Sequence, residues 1–85
     1  MVKFLYFYGD WCGPCKQLKP IIEELRTEGI RIDRINIDND PGTTQQYNVR
    51  GVPTLVLVDQ NNEKEITRFV GVHSKSTYLN AYKSC

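Results

Sequence analysis

The sequence predicts an α/β fold with four strands in one mixed sheet, flanked by three helices. Three observations predict it. Residues 2–8 (VKFLYFY) are almost wholly apolar, the pattern of a strand buried on both faces. A helical stretch and then a branched segment follow, so the first two strands are parallel and joined by a right-handed crossover. Later, two short apolar runs flank Asn61-Asn62, as in an antiparallel hairpin.

Each element has its own signals. Gly9 and Asp10 end the first strand. After Trp11-Cys12-Gly13-Pro14-Cys15, a helix runs to about residue 28. Its residues Leu18, Ile21, Ile22 and Leu25 repeat at i, i+3, i+4, i+7 and form one apolar face. Lys16, Lys19, Glu23, Glu24 and Arg26 take the other side, and Gly29 suits the stop. Pro20 removes a backbone donor inside this helix and is expected to kink it. Residues 30–37 (IRIDRINI) form the second strand. Asp40 and Pro41 are an N-cap and first-turn pair for a short helix to about Tyr47. Residues 49–53 are irregular. Residues 54–58 and 64–70 are the hairpin strands, ended by Gly71. Ser74 caps a last helix over 75–84, with Tyr78, Leu79 and Tyr82 turned inward. The order is β-α-β-α-β-β-α, in a single domain spanning 1–85 without repeats, low-complexity segments or linkers.

Composition narrows the function. With 11 Lys+Arg against 10 Asp+Glu the net charge is +1, which gives no pull toward nucleic acid or an anionic membrane surface. No segment is long enough to span a membrane. The apolar start is too short for a secretory core, is interrupted by Lys3 and lacks a small-residue cleavage site, so the expectation is a cytoplasmic protein. The cysteines are Cys12, Cys15 and Cys85. An odd count in such a chain argues against a structural disulfide framework and for a redox or metal site. A zinc site needs four ligands. Only Cys85 and His73 could join Cys12 and Cys15, without paired spacing, so no metal is expected.

Cys12 and Cys15 fall at i and i+3 at the start of a helix. That geometry brings the Cα atoms within disulfide reach, so the pair can open and close with little backbone movement. The first turn presents unpaired N–H groups and the positive end of the helix dipole, both favouring a thiolate. Thiols at such sites fall from about 8.5 to roughly 3.5–7.5, and Lys16 adds a positive charge. Cys12, at the extreme end, is expected to be the nucleophile and Cys15, one turn in, the resolving thiol. Pro14 fits a turn that does not need its missing donor, and Gly13 leaves room for a partner.

These residues resemble the thioredoxin family. Trp11-Cys12-Gly13-Pro14-Cys15-Lys16 matches the family's active-site motif, and Pro20 stands where the family has its helix-kinking proline. Asn36-Ile37-Asp38, Pro41-Gly42-Thr43, Tyr47 and Val49-Arg50-Gly51-Val52-Pro53-Thr54-Leu55 resemble its middle region, and Val70-Gly71 its later glycine segment. The likeness covers about residues 4–82. It implies that Pro53 is a cis-proline beside the cysteine pair, exposing the Val52 backbone to an extended substrate. It also implies an apolar substrate groove of Trp11, Gly13, Pro14, Val52, Pro53, Val70, Gly71 and Val72, although Val52, Val70 and Val72 suit ordinary core equally well.

The chain departs from that family in three ways. The motif follows the first strand directly, so the family's N-terminal strand and helix are expected to be missing and the 30–37 strand becomes a sheet edge, where Arg31, Asp33 and Arg34 discourage unwanted pairing. The family's buried acidic residue, six positions before the first cysteine, is Tyr6 here. A phenol is a poor base at neutral pH, so core packing is its expected role, and either water accepts the Cys15 proton or the exchange is slower. Cys85, near a chain end, has no partner, and His73 lies outside the site.

The resemblance implies a monomeric protein-disulfide reductase that draws electrons from a thioredoxin reductase-type donor, passes them to disulfide-containing proteins and needs no cofactor beyond the Cys12–Cys15 disulfide. Two alternatives stay open. One is a glutaredoxin-like, glutathione-dependent reductase, suggested by size but opposed by the Gly-Pro dipeptide between the cysteines. The other is a binding module whose cysteines are dispensable.

Overall fold

The structure, a computed structural model, describes residues 1–85. The elements are β1 (Val2–Tyr8), α1 (Gly13–Thr27), β2 (Ile32–Asn36), α2 (Pro41–Gln46), β3 (Thr54–Asp59), β4 (Glu65–Val70) and α3 (Lys75–Lys83). They form one mixed sheet in the order β2-β1-β3-β4. β1 pairs parallel with β2 and antiparallel with β3, and β3 pairs antiparallel with β4. The central place of β1, the edge place of β2 and the hairpin all agree with the sequence. Strand ends differ: β2 is shorter than 30–37, because the backbone leaves the ladder on either side of the Phe4–Ile32 to Tyr8–Asn36 register.

The strand period of two divides the core. Phe4 and Tyr6 face one side with Leu18, Ile22 and Leu25 of α1, Leu55 and Leu57 of β3, and Tyr78 of α3. Leu5 and Phe7 face the other, with Ile35, Tyr47, Val56 and Val58. Burying each such side chain contributes about 1.5–3 kcal/mol before chain entropy is counted. The caps follow the sequence. Gly29 takes a φ of 89° after α1, a conformation that disfavours a Cβ. The Asp40 carboxylate accepts from the Thr43 N–H at 3.1 Å, and Ser74 Oγ from the Thr77 N–H at 3.3 Å. Helix α1 runs through Pro20. Pro20 has no N–H to offer the Lys16 carbonyl, and both residues are exposed.

Electrostatics tie the edges down. Lys75 of α3 pairs with Glu28 and Glu24 of α1. On β4, the Arg68 guanidinium bridges the Glu65 carboxylate and the Tyr47 carbonyl, each at 2.6 Å. The Arg68 hydrogen bond holds the Glu65 carboxyl below its ordinary range. A depressed folded value means that this contribution is present above the unfolded value, about 4.3, and is lost as pH falls through the folded one. Glu65→Gln is therefore expected to lower the urea midpoint at pH 7 and to make little difference near pH 3; equal losses at both pH values would show that the ion pair is not the cause.

Candidate active site

The register sets the site. The C-terminal ends of β1 and β4 and the start of β3 meet at one end of the sheet, since Thr54 pairs with both Phe7 and Val70. Leaving β1, the chain makes a tight turn in which the Cys12 N–H donates to the Gly9 carbonyl at 3.1 Å. Cys12 is then the N-cap of α1, with an extended backbone (φ −86°, ψ 113°). Its Sγ takes the place of a capping oxygen and accepts the Cys15 N–H at 3.1 Å. Cys12 and Cys15 are joined as a disulfide with Cα atoms 5.2 Å apart. No acidic residue occupies the first turn of α1, so nothing there offsets the positive helix end. A cap N–H and a dipole directed at Sγ stabilise the anionic form of this sulfur once the pair is reduced.

The loop before β3 lies against this sulfur. The Val52–Pro53 peptide is cis, and the Val52 carbonyl oxygen is 3.7 Å from Cys12 Sγ. In the disulfide that sulfur has no proton to donate, so the approach is a van der Waals contact. Neither the N–H nor the C=O of Val52 has a backbone partner, which leaves both free beside the reactive sulfur. The Gly71 N–H donates to the Pro53 carbonyl at 2.8 Å, fastening the loop after β4 to the cis-proline. Gly71 has a φ of 85°. Trp11 is 65% exposed, Val70 63% and Val72 42%. For Val70 and Val72 these exposures favour a surface role over ordinary core. Gly13 and Pro14 are exposed, Val52 is half-buried and Pro53 is buried. The eight residues expected to form a groove thus lie in loops or at element ends.

Sequence reasoning missed the groups that hold Trp11. Its indole Nε1–H donates to Asp38 Oδ2 at 2.9 Å. The Asp38 N–H donates to Asn36 Oδ1 at 3.0 Å, and Asn36 Nδ2 donates to Asp10 Oδ2 at 3.3 Å. This closed ring links the turn before Cys12 to the turn after β2. The signal was the parallel crossover, which brings residues 36–38 beside residues 8–11. Gly9 is buried under the indole: a Cβ there would lie 2.7 Å from Trp11 Cε2 and 2.8 Å from Nε1. Gly9→Ala is expected to unseat the indole, shift its emission and raise KM for a protein disulfide more than it lowers kcat. Trp11 is the sole tryptophan, so fluorescence reports on it alone. Gly42→Ala, whose Cβ would meet only Asp40 Oδ1 at 3.8 Å, is the control; matching spectra for the two variants would refute the seat.

The family described as Thioredoxin matches over residues 2–84. The chain belongs to the thioredoxin family. It is 40% identical over 75 residues to the thioredoxin of Chlamydia caviae, covering 86% of this chain and 72% of that protein. It is 38% identical over 76 residues to the thioredoxin of Rickettsia conorii, covering 86% and 70%. Among solved structures, a mutant thioredoxin from Halobacterium salinarum NRC-1 superposes with a TM-score of 0.88 at 33% identity, covering 98% of this chain and 73% of that one. With its paired cysteines, this thioredoxin-family chain is a thiol–disulfide oxidoreductase, and its redox group is its own disulfide.

Tyr6, which stands in for the thioredoxin family's acidic residue, is buried and stacks on Tyr8 with centroids 5.2 Å apart. Its hydroxyl donates to the Cys15 carbonyl at 3.3 Å. Burial raises its pKa above the ordinary value of 10, with Arg34 working against the rise. The phenol is therefore protonated at neutral pH, and its observed role is packing. The His73 Nε2 is 3.0 Å from the Val70 carbonyl, and its ring packs edge-on against Phe69.

Proposed function

We propose that Cys12 attacks a substrate disulfide and that Cys15 resolves the mixed disulfide, making the chain a reductant of disulfide-containing proteins. The observation that carries the reading is Cys12 Sγ at the N-cap, accepting the Cys15 N–H. Attack by the Cys12 thiolate breaks the substrate S–S bond, and the electron pair leaves with the first substrate sulfur. Cys15 then attacks Cys12 Sγ, and the pair leaves with the second substrate sulfur. Both sulfurs are largely buried; Cys15 lies one turn inside α1 while the cap N–H is directed at Cys12, which suits Cys15 to the second step.

The groove of Trp11, Gly13, Pro14, Val52, Pro53, Val70, Gly71 and Val72 holds an extended substrate segment, with the free N–H and C=O of Val52 pairing to its backbone. The domain over residues 1–85 works as a monomer in the cytoplasm, recharged by a thioredoxin reductase-type donor. No helix is long and apolar enough to cross a membrane, and the balanced charge offers nucleic acid no attraction.

Insulin reduction with two electron sources tests this reading. NADPH with thioredoxin reductase is expected to sustain turnover, and glutathione with glutathione reductase is not. The reverse pattern would support the glutathione-dependent alternative. Undiminished biological activity in a protein carrying both Cys12→Ser and Cys15→Ser would favour the binding module.

A further inference from the structure

Resolution requires Cys15 to lose a proton, and Cys15 borders an open cavity. A cavity of about 190 Å³ lies between α1 and the sheet, and Cys15 is part of its wall. Strand β1 contributes Tyr6 and Tyr8 to the lining, β2 contributes Arg34, the turn contributes Asp10, and α1 contributes Lys16, Lys19 and Glu23. Gly9 and Ile22 complete the lining, and the space, bordered by five charged side chains, has room for several waters.

The lining leaves few acceptors. The Tyr6 phenol is protonated and already donates to the Cys15 carbonyl. The Tyr8 ring lies under the Arg34 guanidinium, 5.5 Å from its centroid. Lys16, Lys19 and Arg34 are cations without lone pairs to offer. The carboxylates of Asp10 and Glu23 remain. Asp10 is held at the cavity wall by Asn36 Nδ2, and Glu23 follows Cys15 and Lys19 at i+8 and i+4 along one stripe of α1.

We propose that the Cys15 thiol proton leaves through this cavity, by way of water, to the carboxylates of Asp10 and Glu23, so that an open space with charged walls replaces a single buried acid. The proton passes from Cys15 Sγ to water and from water to a carboxylate. The Cys15 thiolate attacks Cys12 Sγ, the Cys12–substrate bond breaks, and the released substrate thiolate takes a proton from solvent. This inference rests on the roles proposed above for Cys12 and Cys15.

A single turnover of the reduced protein with dithiobis(nitrobenzoate) separates the steps, because the first thiol released reports attack by Cys12 and the second reports resolution. All proteins carry Cys85→Ser, since Cys85 is exposed and would add its own release. Asp10→Asn with Glu23→Gln is expected to slow the second release by at least about tenfold below neutral pH, far more than the first, which Asp10 touches only through the ring that seats Trp11. Both residues are exposed, so the fold should persist, and a urea midpoint verifies it. A second release with unaltered rate and pH profile overturns the inference, as does equal slowing of both releases, which would indicate an effect on Cys12. Absence of a first release in the unsubstituted pair would instead sink the proposed nucleophile.

Discussion

Cys12→Ser is expected to reduce insulin-disulfide reduction to the level of reductant alone, and Cys15→Ser to stop the reaction one step later. A serine hydroxyl at the N-cap accepts the same N–H but does not ionise near neutral pH, so the nucleophile is lost while the helix keeps its cap. Cys15 does not substitute for it, because it lies one turn inside α1, away from the cap position where the first-turn N–H stabilises a thiolate. With Cys15→Ser the attack proceeds, and the Cys12 mixed disulfide persists because nothing displaces it. Mass spectrometry without reductant should find that covalent adduct, and dithiothreitol should release it. The measurement belongs in a Cys85→Ser background, because Cys85 is a free, exposed thiol. Insulin reduction retained by Cys12→Ser would exclude the assigned nucleophile.

Tyr78→Ala should produce the largest loss of stability. The ring is fully buried and packs edge-on against Phe4 and Phe69, with centroids 6.0 Å and 5.5 Å away. Truncating a large aromatic in such a place costs about 3–5 kcal/mol. A domain of this length is stable by roughly 4–13 kcal/mol, so a large part of the total is at stake. The hydroxyl adds a second effect. It accepts the His73 N–H at 3.0 Å and donates to the Gly71 carbonyl at 3.4 Å, fastening the loop that carries Val72. Tyr78→Phe keeps the ring and should cost about 1–3 kcal/mol, since the His73 N–H loses its partner. It should also raise KM for a protein disulfide through the loosened loop. Urea midpoints at constant m-value give the stabilities, and steady-state kinetics give KM. A Tyr78→Phe protein with unchanged midpoint and KM would separate this hydroxyl from the groove.

Much of the fold was legible because its signals are local. The apolar run of β1, the i, i+3, i+4, i+7 face of α1, the Asp40 and Ser74 caps and the Asn61-Asn62 turn each act within a few residues. The cysteine pair was legible for the same reason, since a separation of three at a helix start determines both the disulfide and the capping geometry. The cis Val52–Pro53 bond came from likeness to a family, not from local chemistry, and the structure has it. Expected strand ends differed by one or two residues, because ladder pairing is decided between strands.

The sequence by itself determined which residues form strands and helices, where the reactive sulfurs lie and which end of a helix activates one of them. Tertiary structure alone decided what surrounds them. It seated Trp11 on Gly9 and bound it to Asp38, 27 residues away. It anchored the Gly71–His73 loop to the core through Tyr78 and opened a cavity behind Cys15. The physical reason is range: capping and periodicity act over one or two turns of chain, whereas a hydrogen bond or a cavity wall between distant residues exists only after the sheet has brought them together.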